Sequence, residues 1–182
     1  STATAKLTSL NMGAGNVTLY AIYSKTLTGT FNYYKYQTTK VSTTIYNTAT
    51  SGTITAPATV GTPPTGYSFR HWARNNGFPN APKDVDASGK TTISADTTFY
   101  ASYSKKITIT FDDNGAIAGE KVSPVEGTVY MDYVGGEMPF RLKMPEATYG
   151  YKMAHVDGWC TTKDGKGDSY KEGQTVSFYN DT

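Results

Sequence analysis

Val17-Thr-Leu-Tyr-Ala-Ile-Tyr-Ser-Lys25 returns later in the chain as Thr97-Thr-Phe-Tyr-Ala-Ser-Tyr-Ser-Lys105, with Tyr20 matching Tyr100 and Lys25 matching Lys105 at an offset of 80 (100−20 and 105−25). Apolar and polar residues alternate in both copies. Leu19, Ala21 and Tyr23 therefore share one face of an extended chain, as do Phe99, Ala101 and Tyr103, and each copy is predicted to form a half-buried β-strand. The residues after each copy repeat too: Leu27, Gly29, Phe31 and Tyr33 alternate in phase with Ile107, Ile109 and Phe111. Four positions lead from Tyr23 to Leu27 (27−23) and from Tyr103 to Ile107 (107−103), so the units are expected to abut with almost no linker. A period of this length exceeds that of solenoids and suits a tandem array of small domains.

Composition sets the class. Threonine is abundant, tyrosine occurs 15 times and long runs of good helix formers are missing, which favours an all-β fold. Units of this size bury a modest share of their surface, so contacts between neighbours are expected to matter. The net charge of +2, from 17 basic and 15 acidic residues with no long run of one sign, offers no electrostatic footprint for nucleic acid or an anionic membrane. No apolar stretch approaches the ~20 residues of a membrane span, so direct membrane insertion is not expected. Cys160 is the sole cysteine, which rules out an intramolecular disulfide. The chain is expected to be a segment of a longer protein whose targeting signals lie outside it.

The first 15 residues, small and polar, read as an approach loop. Thr26 to Tyr36 is predicted as a strand with Phe31 and Tyr33 inward and Asn32, Tyr34 and Tyr36 outward. Val41, Thr43 and Ile45 alternate with Ser42, Thr44 and Tyr46 to complete a hairpin. Pro57, Gly61, Pro63 and Pro64 make an extended connection. Alternation resumes at Gly66-Tyr-Ser-Phe-Arg-His-Trp72, where Phe69 and Trp72 fall on opposite parities; burying both requires a bulge or strand end near His71. In the second unit Phe111-Asp-Asp-Asn-Gly115 closes a strand, Val129, Met131 and Tyr133 alternate before Gly135-Gly136, and Gly150-Tyr151 is followed by Gly158-Trp159. Asp181-Thr182 aligns with Asp96-Thr97, so the second unit lacks its closing strand, and the 16–24 strand of a neighbouring molecule is a candidate to fill that edge.

No residue set points to chemistry. Gly-x-Ser-x-Gly, Walker and zincin patterns are missing, and the acids lie in turn-like stretches rather than as a pair across a cleft. His71 and His155 occupy unrelated positions, so no metal site is expected. Asp112, Asp113 and Asn114 before Gly115, and Asp164-Gly-Lys-Gly-Asp168, lack the acidic alternation of a calcium loop and read as Asx turns. Neither a catalytic residue nor a cofactor is expected. Tyr34, Tyr36 and Tyr46 fall on the predicted outward face of adjacent strands, where planar rings could contact a sugar or a protein partner.

The order of these pieces resembles the Listeria–Bacteroides repeat, the internalin-type B-repeat. The residues carrying the likeness are Gly66, Tyr67, Phe69, Trp72, Asp96, Thr98, Tyr100, Ala101 and Tyr103, and again Phe111, Asn114, Gly115, Gly150, Tyr151, Gly158 and Trp159. Departures include His71 where the family usually has the glycine kept as Gly158. The resemblance implies small β-grasp-like modules with little or no helix, divided as 1–25 (closing strand of a preceding repeat plus leader), 26–105 (a complete module) and 106–182 (a second module lacking its last strand). It further implies an extracellular location on a bacterial cell surface or wall, where modules without disulfides are ordinary. The implied role is non-enzymatic, as stalk or spacer and in adhesion to a host or matrix protein or glycan, with glycan or mucin binding through the exposed tyrosines as the alternative. Trp72 and Trp159 are then the core tryptophans, with Tyr67, Phe69, Phe99, Tyr103 and Phe111 around them.

Overall fold

Alternating β-branched, aromatic and polar residues are realised as extended chain throughout. The computed structural model describes residues 15–16, 18–58, 60–76, 78–115, 121–146 and 158–182, and among these there are twelve strands and no helix. They are β1 (Ser24–Tyr33), β2 (Gln37–Tyr46), β3 (Gly52–Thr55), β4 (Ser68–Ala73), β5 (Lys90–Ile93), β6 (Thr97–Ile109), β7 (Val125–Met131), β8 (Glu137–Met138), β9 (Phe140–Lys143), β10 (Trp159–Cys160), β11 (Ser169–Tyr170) and β12 (Thr175–Phe178). The class is all-β.

β6 organises the main sheet. The order is β2-β1-β6-β7-β8, with β4 on the other edge of β6. The first part of β6 runs parallel to β1, Gly29 opposite Thr97 and Phe31 opposite Phe99, and antiparallel to β4. From Tyr103 onward it pairs antiparallel with β7. A boundary at residues 105 and 106 therefore falls inside an unbroken strand. Phe99, Ala101, Tyr103, Ile107 and Ile109 are all buried and share parity, so one strand face feeds apolar side chains into both halves of the chain. Lys105 interrupts that row, and its ammonium lies 4.9 Å from the centre of the Tyr67 ring and 2.9 Å from Asn180 Oδ1. The buried apolar residues form one contiguous cluster from Leu27 to Phe178, not two separate cores.

The strand expected over 17–25 starts only at Ser24. Leu19, Tyr20, Ile22 and Tyr23 are exposed, at 74, 84, 57 and 73%. The reason lies in neighbours. A strand needs partners for its backbone groups, and 97–105 has β1, β4 and β7, whereas among the described residues the backbone of 18–23 is shown bonded to Asn47 alone, through Tyr23. The bulge near His71 is present, as a register shift between Phe69 and His71 that lets Trp72 turn inward.

Two short antiparallel pairs flank the main sheet in matching geometry. β3 and β5 pair Gly52 with Ile93, and β9 and β12 pair Phe140 with Phe178, at offsets of 88 (140−52) and 85 (178−93). Volumes at these matched places are exchanged rather than conserved. In the first half, a Cβ on Gly52 would sit 2.6 Å from Cγ2 of Thr43; in the second, a Cβ on Gly127 would sit 2.3 Å from the Phe140 ring. Thr43 and Gly127 hold equivalent places opposite β1 and β6, so Thr with Gly in one half is answered by Gly with Phe in the other. Gly127→Thr is therefore expected to destabilise the chain by about 1–3 kcal/mol through overpacking. Adding Phe140→Gly should recover part of it, so that the double variant loses less in a urea melt than the sum of the two single variants. Strict additivity would refute the coupling.

Candidate functional site

The second part of β6 meets β7 along one edge and Thr182 along the other: Thr182 N donates to Thr108 O at 3.2 Å, and Thr110 N donates to Thr182 O at 2.7 Å. These two bonds set Thr182 opposite Ile109, as Thr97 is set opposite Gly29. The acid just before each threonine makes the same contact. Asp96 Oδ1 accepts from Thr28 N at 2.8 Å, and Asp181 Oδ1 accepts from Thr108 N at 2.7 Å.

Past Ile109 the halves diverge. In the first, Phe31 meets Trp72 edge-on, centroids 5.0 Å apart, and Phe99 stacks on Phe31 at 4.7 Å and 10°. In the second, Phe111 meets Trp159 edge-on at 4.7 Å, and a cleft of about 490 Å³ lies beside the pair. Phe111, Trp159, Tyr170 and Phe178 supply an apolar lining, with Cys160 and Thr182 at its side. Trp72 is 3% exposed, whereas Trp159 is half-buried and donates its indole N–H to Pro145 O at 2.9 Å.

The rim is made of turns. Asp112 Oδ1 accepts from Asn114 N, Asp113 Oδ1 from Gly115 N and Asp164 Oδ1 from Lys166 N, as the Asx-turn reading predicts, and Asn114 Nδ2 bridges to Lys163 O at 3.1 Å. Cys160 is exposed, and hydrogen bonding from Thr162 draws its thiol below the ordinary range. Among the described residues, no group of three or more His, Cys, Asp or Glu is arranged to hold a metal ion. Gly150, Tyr151 and His155 lie outside the described residues.

The three tyrosines singled out as ligand contacts do not share a surface. Tyr34 and Tyr36 belong to the turn between β1 and β2, not to a strand face; Tyr34 is half-buried and its N–H donates to Tyr103 Oη. Tyr46 sits opposite Ser24 at the far end of the hairpin, roughly 30 Å from the turn at about 3.3 Å per residue. Tyr36, 71% exposed, instead meets the ring of Tyr133 at 6.0 Å, and Tyr133 meets Tyr100 at 5.0 Å. Sequence reasoning missed this cluster because Tyr133 comes from the other half of the chain. Of the residues placed in the core, Tyr67, Trp72, Phe99 and Tyr103 are buried, while Phe69, Phe111 and Trp159 are partly so.

His71 is 7% exposed, and among the described residues its Nε2 and the neighbouring Ser102 Oγ have no hydrogen-bond partner. Burial, then Arg70, lower its pKa from 6.5, against a pull upward from the backbone of Ala81.

No protein-family model, no curated protein and no solved structure matches this chain.

This geometry leads to two expected outcomes. Trp72→Ala should cost about 3–5 kcal/mol, and Trp159→Ala, half-buried beside a cleft, about 1–3 kcal/mol in chemical denaturation; equal losses would contradict the different enclosure of the two indoles. Because the folded state holds His71 neutral and the unfolded chain does not, the stabilisation is fully present above pH 6.5 and is lost as pH falls below it. Melting temperatures from pH 8 to pH 5 should fall more steeply for the native chain than for His71→Gln; parallel curves would show that His71 does not carry the effect.

Proposed function

We propose that this chain is a stiff, non-catalytic segment of a bacterial cell-surface protein, made of two B-repeat-like, β-grasp-like modules in tandem, which spaces or presents an adhesive element outside the cell. The observation that carries this reading is β6, a 13-residue strand that belongs to both halves and leaves no linker to bend. Further contacts brace the junction from both sides. Tyr67 Oη donates to Glu137, the Arg70 guanidinium lies 4.8 Å from the centre of the Tyr130 ring, and Lys35 N donates to Tyr133 O at 3.0 Å. The two-module division is supported by the recurring Asp-to-backbone bond, the recurring Phe–Trp pair and the matched β3–β5 and β9–β12 registers.

A second reading, a glycan- or mucin-binding module, is favoured by the Tyr36–Tyr133–Tyr100 cluster, whose rings offer a stacking surface at the junction. A saccharide array comparing the native chain with Tyr36→Ala separates the two readings. Stiffness itself is tested by spin labels at Thr44→Cys and Lys143→Cys in a Cys160→Ser background. A single narrow distance that does not change with ionic strength is expected. A broad or two-peaked distribution would remove the basis for a spacer role.

A further inference from the structure

We propose that the Tyr36–Tyr133–Tyr100 cluster is a preformed site for an uncharged saccharide, whose pyranose ring lays its C–H face on Tyr36. The inference rests on the second of the two readings above and adds to it the residue kept for contact and the charge class of the glycan.

Backbone strain marks that residue. Among the described residues, four other than glycine have a positive φ. Asn47 and Asn114 are of the type that tolerates this region, because a short polar side chain bonds locally there. The other two are consecutive, Lys35 at 59° and Tyr36 at 60°, in the turn between β1 and β2. A hairpin turn with positive φ at both central residues favours Asn-Gly or Gly-Gly, and a bulky side chain there is strained. Burial in a core would offset that cost, yet Tyr36 is 71% exposed and meets the Tyr133 ring edge-on at 6.0 Å. Strain that the fold itself does not need gathers where a side chain is held ready for a ligand.

The frame around it is stiff. Tyr133 sits in a turn in which Asp132 Oδ1 accepts from the backbone N–H groups of Val134, Gly135 and Gly136 at 3.0, 2.9 and 2.7 Å. Lys35 N donates to Tyr133 O at 3.0 Å, which ties the two turns together. Tyr34 N donates to Tyr103 Oη at 3.0 Å and anchors the first of them to β6. Tyr100 stands on the face of β6 opposite to the core, across from Asn32, with its ring 5.0 Å from that of Tyr133. Three rings from three elements are thus in place before a ligand arrives, which lowers the ordering cost of binding.

Charge and shape select the ligand. Lys35 precedes Tyr36 and Asp132 precedes Tyr133, so one charge of each sign flanks the rings and neither sign dominates. The negative ring faces attract the weakly positive C–H groups of a sugar. Burial first, then Tyr100, Tyr36 and Asp132, hold the Tyr133 phenol above its ordinary pKa, so it stays protonated and able to donate to a hydroxyl. Asn32 and Thr38, joined by a 2.9 Å hydrogen bond, add an amide and a hydroxyl beside the turn. A proline-rich peptide docks in a groove lined by rings; Tyr36 and Tyr133 cross at 86° and make a corner instead.

Tyr36→Gly tests both parts in the 182-residue chain. Glycine takes a positive φ at no steric cost, so this variant should melt at a higher temperature than the native chain and still bind saccharide roughly tenfold more weakly. Tyr36→Phe, which keeps the ring, should retain most of the binding. The probes are a saccharide array pairing neutral glycans with their sialylated forms, lactose with 3′-sialyllactose among them, and a decaproline peptide. Neutral members are expected to bind, and saturation-transfer spectra should place the contact on the C–H protons of one sugar face. A Tyr36→Gly chain that melts no higher than the native one shows that Tyr36 serves the fold, and overturns the inference. Undiminished binding by that variant also overturns it, while leaving the glycan reading intact on another surface. Preference for the sialylated forms or for decaproline rejects the ligand class, and a native chain that binds no saccharide removes the glycan reading as well.

Discussion

Thirteen residues of unbroken backbone, Thr97–Ile109, serve two sets of neighbours, and the rest of the structure depends on that constraint. Because side chains alternate along a strand, Phe99, Ala101, Tyr103, Ile107 and Ile109 must all enter from one face. The apolar layer below therefore continues from one half of the chain into the other. Lys105 falls on the same face midway and would be costly there if its charge were enclosed. It escapes by laying its stem past Gly66 and holding its ammonium over the Tyr67 ring, within reach of Asn180. Tyr67 is in turn hydrogen-bonded to Glu137 on β8, so the place where a break was expected is a brace. Burial and the Glu137 carboxylate both push the Tyr67 phenol well above its ordinary pKa, which keeps it a donor.

Matching geometry in the two halves coexists with different side chains, and packing explains how. Gly29 leaves room for Ile54, whose Cδ1 would be 2.2 Å from a Cβ at that position. In the second half the equivalent place is Ile109, which is itself fully buried. Close-packed interiors respond to single methylenes, so a larger residue on one strand is met by a smaller one on its neighbour. What persists between the halves is backbone register and the aspartate that anchors it, because a hydrogen bond to a backbone N–H does not depend on the volume of the side chains nearby.

Strand content, the hairpin, the bulge near His71 and the Asx turns were legible in the sequence because each rests on local alternation or local turn chemistry. Three features were not. The strand over 17–25 was read from a pattern that its copy at 97–105 does satisfy, yet alternation states a preference and partners decide whether it is met. Continuity of β6 was missed because Lys105 looks like the end of an apolar row, and its escape route over Tyr67 joins residues far apart in sequence. The Tyr36–Tyr133–Tyr100 cluster and the cleft at Trp159 likewise depend on how strands from different halves pair, which no short-range pattern encodes.

The contrast between the two Phe–Trp pairs shows what a closing strand contributes beyond hydrogen bonds. Phe31 touches Trp72 much as Phe111 touches Trp159, so the edge-to-face contact forms with or without a third ring. Phe99 changes enclosure: it covers Phe31 face to face and leaves Trp72 sealed, while Trp159 keeps part of its surface in water beside the cleft. Stacking at this geometry is worth about 0.5–1.5 kcal/mol beyond the area buried, and the buried apolar surface adds about 25 cal/mol for each Å² removed from water. A strand that brings one large apolar residue to this position therefore gains from both effects at once, which is why the identity of the residue at 99 matters more than the alternation around it.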